Sequence, residues 1–285
     1  MRYWSLLFLV TAALCVGSFV YAMFDPNWWL LHNVSVRSPL HFGAEIDRLT
    51  MLVLAITGAV FVLTMLALSW ALWKYPASPG RVAQYSHGNH KLEIVWTLIP
   101  AVILVFLAFY QMGSWADIKF RSRRPKSAPL AQVTGRQFNW LVRYPGVDGK
   151  FGTTDDLHVI NNLHIVKDQA VLIDLKSQDV LHSFFLPQIR LKQDAVPGMT
   201  IPVWFDVDTP GTYELVCAEL CGWGHYKMRG LLTVHETQAE FNEWMTSALA
   251  EQNQTQPAGA TAPDAQASDP ATTATDPASS TVERS

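Results

Sequence analysis

The stretch Cys217-Ala-Glu-Leu-Cys221-Gly-Trp-Gly-His225-Tyr-Lys-Met228 places two thiols, an imidazole and a thioether within twelve consecutive positions. Because the two cysteines are four residues apart, both sulfurs can point into one small volume from a single loop. Met228 follows His225 by three residues and can return to the same centre. Soft sulfur ligands combined with imidazole suit copper better than they suit a hard cation. The stretch therefore predicts a copper site.

One further ligand has to come from outside this stretch. His182 is the best candidate, because it ends an alternating segment upstream, in Asp179-Val-Leu-His. Other kinds of site compete with this interpretation. A cysteine pair outside the cytosol commonly forms a disulfide, zinc sites usually use CxxC spacing, and a mononuclear blue-copper site needs only one cysteine. Two thiolates with two imidazoles fit a dinuclear copper centre, in which both sulfurs bridge both metals.

The composition indicates a membrane part joined to a soluble part. The chain has 285 residues, which allows one or two domains. Hydrophobic residues make up 49% of it and charged residues only 16%, below the roughly 25% of soluble domains. A net charge of -3 is too small to indicate a nucleic-acid partner. Of the three cysteines, Cys15 lies in an apolar run, so no disulfide framework is left, and the chain has no CxxCH haem-attachment motif.

The membrane part is predicted from uncharged runs. Residues 1–24 form an apolar run that is either a signal peptide or a first transmembrane helix. Residues 25–119 are predicted to contain a transmembrane helical hairpin, with helices at about 49–73 and 94–116, because neither span holds a charged residue. Membrane lipid is therefore an expected partner.

The soluble part, residues 120–252, is predicted to be all-β. Alternating segments with Pro-Gly turns between them are typical of an antiparallel sandwich of Greek-key type. The metal loop would connect two late strands, Thr212–Val216 and Arg229–His235. A helix is expected over 237–252, with Thr237 and Glu240 as a capping box. Residues 253–285 have no aromatic residue and no apolar periodicity, which predicts a disordered low-complexity tail.

The side of the membrane is not settled by charge. The segment between the two spans has fewer Lys and Arg than the segment after the second span, which by the positive-inside rule would keep the soluble domain in the cytoplasm. That rule weakens for long translocated domains. A three-span topology and the copper chemistry instead lead us to expect the soluble domain on the outer side.

The loop pattern C-x-E-x-C-x3-H-x2-M resembles the copper A loop of cytochrome c oxidase subunit II, and the resemblance extends from about residue 46 to about residue 250. It implies a cupredoxin fold behind the helical hairpin. It also implies a ligand set in which two cysteines bridge the coppers, two histidines are terminal, a methionine binds one copper and a backbone carbonyl the other: Cys217, Cys221, His182, His225, Met228 and Glu219. The Glu219 carboxylate would reach a magnesium ion shared with subunit I.

The same resemblance implies a function. Electrons would pass from cytochrome c or a similar donor, through a dinuclear copper A centre, to haem in subunit I, where oxygen is reduced to water and protons are pumped. The chain would be an electron-transfer subunit of a proton-translocating oxidase without the oxygen-reducing site. Subunits I and III would be its partners, in a bacterial-type inner membrane, with the cupredoxin domain periplasmic. The alternatives are the copper A subunit of a nitric oxide reductase and a copper-binding or copper-delivery module. Quinol oxidase subunits of the same superfamily lack the copper ligands.

Four residues have a weaker assignment. Glu93 is either a helix N-terminal acid favoured by the dipole or, by the resemblance, a proton-entrance residue opposite the copper. Phe138 stands where many family members have a tryptophan that is thought to admit electrons, while Trp140 is retained. Both aromatics could equally be core residues of a strand. Asp179 could help to form an acidic face for a basic donor, or could simply be a solvated acid.

Overall fold

The computed structural model describes residues 2–24, 43–76, 79–80, 82, 85, 87–120 and 125–255. Its first part contains three helices: α1 (Arg2–Phe24), α2 (Gly43–Lys74) and α3 (His90–Lys119). Each has a stretch long and apolar enough to cross a membrane, with mean hydropathies of 2.1, 2.6 and 2.4. The helices α2 and α3 contain the two predicted spans and extend beyond them, because the polar flanking residues continue the same helices. The tail over 253–285 lies, from residue 256 onward, outside the described residues.

Helix α1 packs against α2 through a pair of serines. The Ser5 hydroxyl donates to the Ser69 carbonyl at 2.7 Å, and the Ser69 hydroxyl donates to the Ser5 carbonyl at 2.5 Å. Serine hydroxyls that bond across helices satisfy polar groups that hydrocarbon would leave unpaired. Both alternatives for residues 1–24 stay predictions, since a signal peptide is itself helical.

The sandwich is tied to one end of the α2–α3 hairpin. Arg190 pairs with Asp47 near the start of α2, with 2.8 Å between Nε and Oδ1 and both side chains largely buried. The Trp204 indole N–H donates to the carbonyl of Ile118, near the end of α3, at 2.9 Å. Because the two helices are antiparallel, both contacts lie at the same end of the hairpin. The start of α3, which carries Glu93, lies at the opposite end.

The second part of the chain contains ten strands: β1 (Ala131–Arg136), β2 (Asn139–Tyr144), β3 (Leu157–Ile160), β4 (Asn162–Val166), β5 (Val171–Ser177), β6 (His182–Leu186), β7 (Leu191–Ala195), β8 (Ile201–Phe205), β9 (Gly211–Cys217) and β10 (Arg229–His235). They form two five-stranded sheets, in the orders β3-β2-β1-β5-β8 and β4-β10-β9-β6-β7. The predicted sandwich is confirmed, but the expectation that it is antiparallel throughout is wrong. The pairs β1–β5 and β10–β4 are parallel, because these strands meet through long connections and not through hairpins.

The core lies between the two sheets. Burial alternates along β1 and β2, as expected for strands with one face inward. Trp140 on β2 packs edge-on against Phe184 on β6, with ring centroids 5.6 Å apart, and both are fully buried. Burying one large apolar side chain contributes about 1.5–3 kcal/mol. The segment Ala131–Tyr144 is split into two strands by a turn at Gln137 and Phe138.

Helix α4 (Gln238–Thr255) forms where a C-terminal helix was predicted. The Thr237 hydroxyl accepts from the Glu240 N–H at 3.2 Å, as in a capping box. The Glu240 carboxylate accepts from the N–H of Glu236, at 3.0 Å, one residue before the expected position. Phe241 and Trp244 then pack edge-on against Tyr144, which closes one side of the core.

Candidate metal centre

The metal loop connects two paired strands. Cys217 ends β9 and Arg229 begins β10, and the Cys217 N–H donates to the Met228 carbonyl at 3.1 Å across the base of the loop. His182 begins β6, a neighbour of β9 in the same sheet, in which Phe184 is opposite Cys217. The pairing of β6 with β9 therefore brings His182 to the loop from 35 residues away.

The sulfur and nitrogen atoms of three residues converge. The Sγ atoms of Cys217 and Cys221 are 3.8 Å apart, and the His182 Nδ1 atom is 3.9 Å from the Cys217 Sγ. One ligand atom from each of these three residues lies within 4.8 Å of the other two, and all three residues are buried. Both cysteines are free thiols, so the pair is available to a metal ion.

The remaining sequence-predicted ligands lie around the same thiols. Cys221 Sγ is 3.6 Å from the His225 Nδ1 atom and 3.8 Å from the Met228 Sδ atom. The backbone carbonyl oxygen of Glu219 is 3.2 Å from the Cys217 Sγ, while Glu219 as a whole is exposed. The structure thus brings all six predicted groups to one place.

This donor set fits copper. It consists of two thiols, two imidazoles, a thioether and a carbonyl, and thiolates and thioethers are soft ligands that select copper over hard cations. Burial, and secondarily the neighbouring Cys217 thiol, raise the pKa of the Cys221 thiol to about 12. Since a metal binds the thiolate, binding has to release this proton. His182, Cys217 and Cys221 therefore form a possible copper-binding site.

The orientation of the His182 ring is fixed by Asp179. The Asp179 Oδ1 atom is 2.7 Å from the Nε2 atom of His182, so the carboxylate accepts a hydrogen bond from the Nε2–H group. The Nδ1 atom is then left to face the thiols. Burial favours the neutral carboxyl group, but hydrogen bonds from the Gln137 N–H, from His182 and from the Val180 N–H outweigh it and lower the pKa of Asp179. A carboxylate behind a ligand histidine fixes its tautomer and raises its basicity. Asp179 therefore orients a candidate ligand, a role that is separate from the donor-docking role considered from the sequence.

Gln137 contacts both the metal loop and Asp179, which the sequence did not indicate. Its side-chain amide donates to the Cys221 carbonyl at 2.6 Å, and its backbone N–H donates to Asp179 at 2.7 Å. Gln137 lies in a turn that has neither glycine nor proline at its tip. Only the tertiary structure, in which its amide bonds to the Cys221 carbonyl, shows that it reaches the metal loop.

The other predicted site residues differ in burial and in their distance from the candidate metal centre. Phe138 is half-buried, with its ring against the backbone of Gly222 and Gly224 in the metal loop. Trp140 is fully buried, 6.1 Å from the His182 ring between centroids. Glu93 lies in the first turn of α3, where its carboxylate is 3.3 Å from the His90 Nδ1 atom and its side chain is 48% exposed.

Both parts of the chain match profiles of one protein family. The family profile "Cytochrome C oxidase subunit II, periplasmic domain" matches residues 131–234, and the profile "Cytochrome C oxidase subunit II, transmembrane domain" matches residues 26–113. The alternative cytochrome c oxidase subunit 2 of Bradyrhizobium diazoefficiens is 31% identical over 260 residues, which cover 83% of this chain and 90% of that protein. Cytochrome c oxidase subunit 2 of Thermostichus vulcanus is 28% identical over 277 residues, covering 76% of this chain and 80% of that one.

Among solved structures, the periplasmic domain of subunit II of cytochrome oxidase from Bradyrhizobium japonicum is similar, with 27% identity and a TM-score of 0.39, covering 45% of this chain and 97% of that chain. The three apolar helices and the matched transmembrane domain make this chain a membrane protein. Its two matched domains and the length of its similarity to subunit 2 proteins lead to one conclusion. The chain belongs to the cytochrome c oxidase subunit II family.

Proposed function

We propose that this chain is the electron-accepting subunit of a respiratory terminal oxidase and that it holds a dinuclear copper centre. The ligands would be the six groups around the paired thiols: His182, Cys217, Glu219 through its carbonyl, Cys221, His225 and Met228. One observation carries the proposal. Two buried thiols face each other at 3.8 Å, with a histidine nitrogen within 4 Å of each sulfur.

The donor count supports two coppers in place of one. A mononuclear blue-copper site uses one thiolate, two imidazoles and a weak axial thioether, and such a site would leave the second thiol without a role. Here each of the two sulfurs has an imidazole neighbour of its own: His182 lies beside Cys217, and His225 lies beside Cys221. When bound, the copper pair would supply one-electron redox chemistry at a site that changes shape little.

The protein supplies the surroundings of that chemistry. His182, Cys221 and Met228 are each 3% exposed or less, so the fold excludes water from these three donors. Asp179 holds the His182 ring in one tautomer. The loop itself is anchored at both ends in paired strands, which limits how far the donors can move between redox states.

The partners and the location follow from the family. We infer that subunit I, with its haem, and subunit III bind beside the helical hairpin, and that cytochrome c or a similar soluble protein donates the electrons. The exposed Glu219 side chain would be free to reach a magnesium ion shared with subunit I. The chain would be a multi-pass protein of a bacterial-type inner membrane, with the sandwich on the periplasmic side. Glu93, at the opposite end of α3, would then lie at the cytoplasmic face, where protons are taken up.

The test is to count metal in the full-length chain, purified in detergent and separated from the other oxidase subunits, so that only its own metal is counted. We expect two coppers per chain and a seven-line hyperfine pattern in the electron spin resonance spectrum, since one unpaired electron would be shared by two copper nuclei. A content of one copper, or of zinc, would contradict the dinuclear centre. Turnover of oxygen, compared with turnover of nitric oxide, separates a terminal oxidase from a nitric oxide reductase.

A further inference from the structure

The turn between β1 and β2 touches both segments that carry the candidate ligands. On one side, Gly135 faces His182 so closely that a Cβ atom there would lie 2.8 Å from the imidazole Cδ2 atom. On the other side, the Phe138 ring lies against Gly224, where a Cβ atom would come within 2.4 Å of it. The turn therefore fits between the His182 segment and the metal loop, with no room for a larger side chain at either glycine.

Hydrogen bonds through Gln137 connect the two segments. The Gln137 amide donates to the Cys221 carbonyl at 2.6 Å, and the Gln137 backbone N–H donates to Asp179 Oδ2 at 2.7 Å. The other oxygen of Asp179 is 2.7 Å from the Nε2 atom of His182. One residue thus joins the carbonyl of one thiol ligand to the carboxylate that orients an imidazole ligand.

The backbone of the loop is shaped around this amide. Gly222, directly after Cys221, has a φ of +128°, a conformation that side chains other than glycine rarely adopt. A Cβ atom at Gly222 would also lie 2.7 Å from the Gln137 Nε2 atom. A glycine directly after Cys221 therefore lets the Gln137 amide approach the backbone of the loop.

We propose that Gln137 is a positioning residue for the metal centre, because it fixes the Cys221 side of the loop relative to His182. This inference rests on the proposed function, since it concerns the geometry of the same donors. Outer-shell partners of a metal site orient the ligands and typically contribute about 10–100-fold to metal affinity or activity. Gln137 differs from Asp179 in that its side chain bonds to the backbone carbonyl of a thiol ligand, whereas Asp179 bonds to a ligand side chain.

The test uses two substitutions in the full-length protein. Gln137→Met keeps the length of the side chain without its hydrogen bond, and Gln137→Glu places a carboxylate against the Cys221 carbonyl. For both we expect copper to be lost more readily to a competing chelator, with an affinity about 10–100-fold lower than that of the wild type, and an altered hyperfine pattern. Gln132→Met, on β1 and away from the metal loop, is the matched control and should behave as the wild type. Should one Gln137 variant fail to fold, the other decides.

A second measurement does not depend on copper. In a Cys15→Ser background, where Cys217 and Cys221 are the only thiols, we expect the metal-free Gln137 variants to react faster with a maleimide than the Gln132→Met control. Wild-type thiol reactivity in both variants, together with unchanged copper loss, would overturn the role of Gln137. A wild type that binds no copper would overturn the proposed function instead, and the thiol reactivity would still decide whether Gln137 positions the loop.

Discussion

Cys221 lies at the centre of the candidate donors. Its sulfur lies within 4 Å of the Cys217 sulfur, the His225 nitrogen and the Met228 sulfur. The residue is 3% exposed and its thiol is protonated until a metal displaces the proton. At the scale of single residues, the proposed dinuclear centre depends on this one sulfur.

Replacing this sulfur tests that dependence. For Cys221→Ser we expect a mononuclear or metal-poor site and almost no oxidase turnover, because a hydroxyl is a poor ligand for copper. The metal affinity should fall by more than the 10–100-fold, roughly, that is typical when a residue supporting a ligand is removed. Metal analysis and steady-state oxygen consumption measure it. Cys15→Ser, in the exposed face of α1, is the control that should leave both unchanged, and normal turnover in Cys221→Ser would contradict the bridging role.

At the scale of elements, helix α4 is held to the sandwich by a cluster of rings. The buried His164 on β4 stacks on Trp244 of α4, with ring centroids 3.7 Å apart, and its Nδ1 atom is 2.9 Å from the Nε2 atom of His235 at the end of β10. Burial, and secondarily His235, lower the pKa of His164 to about 4, and burial also lowers the pKa of His235, although Glu240 opposes it. A hydrogen bond between the two rings needs one nitrogen without a proton, so the cluster is stable with at least one ring neutral.

This cluster predicts how stability depends on pH. An unfolded histidine takes up its proton near pH 6.5, whereas folded His164 does so only near pH 4. Between these values the unfolded chain binds more protons, so the free energy of unfolding falls as the pH is lowered from 6.5 toward 4. Thermal unfolding of the full-length protein, followed by circular dichroism at several pH values in this range, measures the slope. His164→Phe, which keeps a ring against Trp244, should have a shallower slope, and an equal slope in both proteins would show that this cluster is not responsible.

At the scale of the whole molecule, the candidate metal centre and Glu93 belong to opposite ends of the chain's long axis. Asp47, Ile118 and their partners Arg190 and Trp204 hold the sandwich to one end of the hairpin. On α3, Glu93 is 25 residues from Ile118, which separates them by about 38 Å at 1.5 Å per residue. A change at one end should therefore leave the chemistry at the other end intact.

Glu93→Ala tests this separation together with the proposed proton-entrance role. We expect slower proton uptake by the assembled oxidase with an unchanged copper spectrum, because the carboxylate is lost far from the copper donors. Stopped-flow measurement of proton uptake with a pH dye, alongside electron spin resonance, gives both quantities. Lys91→Ala, which removes another exposed charge in the same turn, is the control. If Glu93→Ala takes up protons as fast as the wild type, Glu93 is only the N-terminal acid of α3.

The sequence by itself determined the membrane helices, the late metal loop and its donors. Each of these is a local property: an uncharged run of about 20 residues is sufficient for a membrane span, and spacings of four and three place donors on one short loop. Even His182 could be proposed, because it ends a strand-like segment.

Only the tertiary structure decided what surrounds the donors. Asp179 and Gln137 are separated from each other by 42 residues and from the loop by up to 84, and they meet because β1, β6 and β9 place their ends at the same edge of the sandwich. The parallel pairs β1–β5 and β4–β10, and the full burial of Trp140, have the same origin. Strand pairing over such separations is set by how two whole sheets bury their inner faces, and no short pattern in the sequence encodes it.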